Sequence, residues 1–114
     1  MLVSFDGVGQ VCATFQGGGL TDGQVVKVSG RGTVSACGAG DAFCGVVSHG
    51  NDDACSVQVR GFVTLSYSGT APSLGKARLC ADGKDGVKTA ADGAGAEYLT
   101  VDVDTALKTV TVLL

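Results

Sequence analysis

Apolar and polar residues alternate with a period of two along most of the chain, and this predicts strands rather than helices. The pattern is cleanest over 97–103 and 107–114 and imperfect over 24–28, while 33–37, 43–48 (an apolar run interrupted by Gly45), 76–81 and 86–90 read as further short strands. A longer run from Cys55 to Tyr67 keeps Val57, Val59, Val63, Leu65 and Tyr67 in phase, with Gly61 a bend or close-approach point. In 97–103 the alternation puts Tyr98, Thr100 and Asp102 on one face and Leu99, Val101 and Val103 on the other. Between the runs stand turn formers: Ser29-Gly30-Arg31-Gly32, Gly38-Ala39-Gly40-Asp41, His49 to Asp53, Asp82-Gly83-Lys84-Asp85-Gly86 and Asp104-Thr105-Ala106. Many short strands with glycine-bearing turns predict an all-β fold, a compact β-barrel or β-sandwich of seven to nine short antiparallel strands.

The domain frame has two parts. Residues 20–114 read as a single β domain. Residues 1–19 read as an N-terminal arm or as an edge strand of that domain. Val11 to Phe15 suits a short strand, and Gly17-Gly18-Gly19 after it suggests a hinge or loose loop. A weak internal echo runs through the chain. Gly23-Gln-Val-Val-Lys-Val, then Thr33-Val34, then Gly38-Ala39-Gly40 is followed 52 to 55 residues later by Gly75-Lys-Ala-Arg-Leu-Cys, Gly86-Val87 and Gly93-Ala94-Gly95. Two copies suggest paired hairpin units in one core rather than a solenoid.

Composition sharpens the picture. The chain has 17 valines and 10 threonines but no isoleucine and one glutamate, Glu97, so a helical bundle is excluded. A net charge of −3 and no tryptophan argue against a nucleic-acid partner. No apolar run approaches a membrane span, and the start of the sequence lacks the pattern of an export signal. Charged residues make up only 17%, which points to surface hidden in self-association or a larger assembly.

Candidate chemistry is sparse. His49 is the single histidine and lies in a polar loop. Cysteines 12, 37, 44, 55 and 80 lack the close pairing of a zinc site and read as reduced thiols. Cys44 or Cys55 could be brought near His49 as a nucleophile, but nothing in the spacing says so, and a solvated loop histidine is expected. The carboxylates of Asp52-Asp53, Asp82/Asp85 and Asp102/Asp104 suit turns and a solvated strand face. No metal, cofactor or catalytic residue is assigned, and a non-enzymatic role is expected. The alternative is a small carbohydrate- or surface-binding β module, which requires Tyr67 and Tyr98 to face solvent.

Three stretches carry a family likeness: Val25 to Val34, Asp41-Ala-Phe-Cys-Gly-Val-Val, and Ser56-Val-Gln-Val-Arg-Gly-Phe-Val. The closing stretch Gly83 to Leu114, centred on Glu97-Tyr-Leu-Thr-Val-Asp-Val-Asp-Thr-Ala, carries it too. Over about residues 20–114 the chain resembles prophage-encoded capsid decoration, or head-stabilising, proteins of tailed phages. The resemblance implies a β-rich structural protein, often trimeric, on the capsid surface of a virion made in the host cytoplasm, with the major capsid protein as partner. Under this reading Phe5, Phe15 and the Gly17, Gly18, Gly19 stretch are the expected capsid- or subunit-contact residues.

Overall fold

The computed structural model describes residues 9–91 and 94–114. Among these residues ten strands are formed: β1 Val11–Gln16, β2 Val25–Gly30, β3 Thr33–Ala36, β4 Gly45–Gly50, β5 Ala54–Arg60, β6 Phe62–Ser66, β7 Gly75–Ala81, β8 Val87–Thr89, β9 Ala96–Asp104 and β10 Thr109–Leu113. The first five close a barrel in the order β1-β3-β2-β4-β5. The last five form a sheet in the order β6-β10-β9-β7-β8.

These two sheets are one design used twice. In the barrel, β1 pairs with β5 antiparallel and meets β3 in parallel at a single point, Gln16 opposite Thr33. In the second sheet, β6 pairs with β10 antiparallel, and the residue just after it, Tyr67, forms a single parallel bridge to Val87 of β8. The remaining pairings also correspond strand for strand. Register agrees as well. Val28 opposite Val34 recurs as Ala81 opposite Val87, each residue 53 further on, and Val26 opposite Ala36 recurs as Leu79 opposite Thr89. The sequence echo is therefore a repeat of topology, although Gly93 of its second copy lies outside the described residues.

Neighbouring residues on a strand point to opposite faces, and two valine pairs exploit this. Val26 and Val47 join Val34, Cys55 and Val57 inside the barrel. Val25 and Val46, paired across β2 and β4, face the other way. With Cys37 and Phe43 they pack among Leu65, Tyr67, Leu79, Ala81, Val87, Val110 and Val112 of the second half. A strand buried on both faces loses its alternation, which is why Val25-Val26 and Val46-Val47 interrupt the period of two. Backbone bonds fasten the same junction: Val25 N–H donates to the Asp85 carbonyl (3.3 Å), Gly40 N–H to that of Ala81 (2.9 Å), and Ala81 N–H to that of Asp41 (2.8 Å).

Three expectations are corrected. The run from Cys55 to Tyr67 is not one strand. Gly61, at φ 102°, breaks it into β5 and β6, which belong to different sheets. Buried Gln58 secures the break, donating to the carbonyls of Arg60 and Phe62 and accepting from Gln10. The face assignment of β9 holds only as far as Thr100. A bulge between Thr100 and Asp102 leaves Val101 unpaired, so Val103 packs on the core while Asp102 is exposed. The glycine triplet is not a loose hinge: Gly17 and Gly19 donate to the carbonyls of Asp53 and Asn51.

The repeat also isolates one polar misfit. Val47 opposite Val57 in the barrel corresponds to Thr100 opposite Val112 in the second sheet. Thr100 is 2% exposed and its hydroxyl has no hydrogen-bond partner among the described residues. A buried hydroxyl without a partner costs free energy that an isosteric methyl does not. Thr100→Val is expected to stabilise the fold by about 1 kcal/mol and to raise the thermal midpoint by roughly 3–6 °C. A lowered midpoint in a thermal melt contradicts this.

Candidate functional site

β1, β5 and β4 lie side by side and present Thr14, Ser56 and His49 in one cross-strand row. The row opens into a shallow depression of about 170 Å³ that Asn51, Ala54 and Cys55 complete. Its floor is held by local bonds: Ser48 Oγ donates to the Ser56 carbonyl, and Asn51 Oδ1 accepts from the N–H groups of Asp53 and Ala54.

His49 and Cys55 thus line one depression, as the residue types permitted, but they do not form an activated pair. Cys55 is 3% exposed and packs into the barrel core, and burial pushes its thiol pKa up. A nucleophilic cysteine requires the opposite, a lowered pKa beside a cation. Cys44 sits elsewhere, partly buried against the barrel core, with its thiol also raised by burial. Cys37, buried at the junction, is pushed up to about 11, first by desolvation and then by the charge of Asp41. Asp41 is spoken for: it accepts from Lys27 Nζ at 2.6 Å and from the Gly38 N–H, and both bonds hold its carboxyl low. Among the described residues no group of three or more His, Cys, Asp or Glu is placed to hold a metal ion.

The tyrosines occupy the core rather than a ligand platform. Tyr67 is buried. Tyr98 stacks on Phe43, with ring centroids 4.5 Å apart and planes 4° from parallel, and donates its hydroxyl to the Phe43 carbonyl at 2.6 Å. Desolvation raises the Tyr98 pKa to about 12. The solvent-facing aromatic pair required by a carbohydrate-binding module is therefore not what these two side chains provide.

Of the expected contact residues, Phe5 lies outside the described residues. Phe15 is half-buried and turned onto the barrel core of Val26, Val34, Val47, Cys55 and Val57. Gly17 and Gly18 are pressed against neighbouring backbone. A Cβ on Gly17 would lie 2.5 Å from the Val34 carbonyl oxygen, and one on Gly18 would lie 1.8 Å from that of Asp52. What the sequence did not single out is the rest of β1. Val11, Cys12, Ala13 and Thr14 are all exposed, on both faces of the strand. The signal was the absence of any charged residue from 7 to 21, which marks a strand without the usual protection of an edge.

Comparison with family models, with curated proteins and with solved structures gives no match. Among the described residues no helix is long and apolar enough to cross a membrane.

Proposed function

We propose that this chain is a non-enzymatic structural protein that decorates and stabilises a phage capsid, acting as an oligomer on the surface of the virion with the major capsid protein as partner. The observation that carries this reading is the doubled β body. Two sheets of the same topology share the core cluster built around Phe43, Leu79 and Val87 and are cross-bonded at their junction. Such a body resists deformation, because its two sheets are closely packed and bonded to each other at their junction. A protein that holds neighbouring shell subunits against internal pressure needs that stiffness more than it needs reactive groups. The cysteines at 37, 44, 55 and 80 fit the same role, since they are wholly or partly buried. Exposed apolar side chains at Val11, Val28, Leu74, Leu107 and Leu113 supply contact points on several sides of the body. The trimer that the sequence resemblance implies is part of this proposal.

The test is co-sedimentation with expanded heads that lack a decoration protein. The chain is expected to pellet with the heads and to raise the temperature at which they release DNA. A chain that stays in the supernatant across the concentration range contradicts the reading.

A further inference from the structure

The two halves follow one another along the chain, the first ending with β5 and the second beginning with β6, and Gly61 alone lies between them. Among the described residues no strand ladder joins the halves. What joins them is the shared core cluster, the stack of Tyr98 on Phe43 and the backbone bonds of the junction. The bend at Gly61 is held by a small set of contacts. Gln58 donates to the carbonyls of Arg60 and Phe62, and the Leu114 N–H donates to the carbonyl of Gly61 itself. Gly61 sits at φ 102°, which suits glycine and strains any residue with a side chain.

Side-chain direction shows what the bend achieves. Val57 and Val59 face the barrel core, whereas Val63, Leu65 and Tyr67 face the shared cluster. All five share one phase, so a straight strand over 54–67 would put them on a single side. The shared cluster also contains Val25 and Val46, which face away from the barrel interior. A second half carried on a straight strand therefore cannot reach the outer face of its own barrel. Straightening would uncover Val25, Phe43 and Val46 on one half and Leu65, Leu79 and Val112 on the other. The surface complementary to each is present on a second copy, and exchange restores the whole junction while changing only the hinge.

We propose that Gly61 is a hinge for exchange of halves between two copies of this chain. In the exchanged dimer 54–67 of each copy is one continuous strand, and the first half of each copy packs against the second half of the other. Each half is used once, so the assembly closes as a pair and leaves no junction surface uncovered. Glycine at 61 and the Gln58 bonds stabilise the bend and so favour the closed monomer. Exchange stands apart from the capsid reading, since it requires no shell.

Refolding from urea at low and at high chain concentration, followed by sedimentation velocity, tests it. Wild type is expected to return as monomer at low concentration and in part as dimer at high concentration. Gly61→Val puts a β-branched residue where φ is 102°, with its Cβ 3.1 Å from Gln10 Cα, and a straight strand removes the φ strain. This variant is expected to favour the dimer by about 10-fold or more over wild type. Gly69→Val is the control. Gly69 also has a positive φ, 74°, and its Cβ would meet nothing within 4 Å, but it lies inside the second half between β6 and β7. It is expected to stay as monomeric as wild type. In dimer refolded from a mixture of isotope-labelled and unlabelled chains, filtered NOEs are expected between the Phe43 ring of one copy and the Tyr98 ring of the other, a pair with centroids 4.5 Å apart. Wild type that returns as monomer at every concentration overturns the proposal, whether or not Gly61→Val folds. So do a Gly61→Val chain that folds without gaining dimer, a dimer that lacks the Phe43–Tyr98 NOEs between copies, and a Gly69→Val chain that dimerises as Gly61→Val does.

Discussion

Gly18→Ala is expected to be the most damaging methyl addition among the described glycines. A Cβ there would sit 1.8 Å from the Asp52 carbonyl oxygen and 2.7 Å from its carbon. The obstacle is backbone, so no side-chain rotation relieves it. Moving the 51–53 loop away would break the bonds from Gly17 to Asp53 (3.3 Å) and from Gly19 to Asn51 (3.2 Å). It would also disturb the turn in which Asn51 Oδ1 caps Asp53 and Ala54. Forced overpacking of this kind costs ~3 kcal/mol, and for a chain of this size the thermal midpoint should fall by roughly 10–15 °C. Gly30→Ala is the control. Its nearest neighbour would be Thr33 Cβ at 3.8 Å, so its effect should stay within about 0.5 kcal/mol. Thermal and urea unfolding of both variants decide the matter. Equal stability of the two would mean that the crossing at Gly18 is looser than its geometry.

That crossing shows where sequence reasoning stops. Three glycines in a row are compatible with a mobile hinge and equally with a place where two backbones touch. Only the position of Asp52 and Val34 in space tells them apart. Gly61 hid a sheet change for a similar reason: Val57, Val59, Val63 and Leu65 keep one phase through it, so alternation alone predicted a single strand. By contrast, the strands at 33–36 and 75–81 were legible because polar and apolar residues alternate from Thr33 to Ala36 and from Lys76 to Leu79 between glycine-bearing turns, although Leu79, Cys80 and Ala81 are then buried in succession. The echo between Gly23 and Gly75 was legible because the same hairpin is built twice, with Val34 and Val87 in the same inward position. The candidate contact residues fared differently. Phe15 is an apolar residue on a strand, and nothing in its neighbours distinguishes a barrel interior from an intermolecular anchor. The exposure of β1 depends on which strand pairs with which, and that is settled by topology far along the chain.

Phe43→Ala is expected to have the second large effect, because this side chain joins the two halves. Phe43 is 4% exposed and belongs to the cluster that holds second-half residues Leu65, Leu79 and Val112. Removing the ring leaves a cavity and an unstacked Tyr98, and truncations of this kind cost about 3–5 kcal/mol. The loss should appear first at the junction, as faster hydrogen exchange of Ala81 and Val25, whose N–H groups bond to Asp41 and Asp85. Alkaline pH gives an independent readout. The Tyr98 pKa is raised to about 12 in the fold, against an ordinary value near 10. Between these values the folded chain holds a proton that the unfolded chain has released. This contribution to stability is complete below pH 10 and is lost as pH rises through 12. Desolvation by the surrounding packing, with the Phe43 ring as its closest face, is the main cause of that shift. In Phe43→Ala the Tyr98 titration should move back toward its ordinary range, and the alkaline loss of stability should shrink. A variant that keeps both its melting temperature and the steep wild-type decline above pH 10 would show that the halves are held together without this stack.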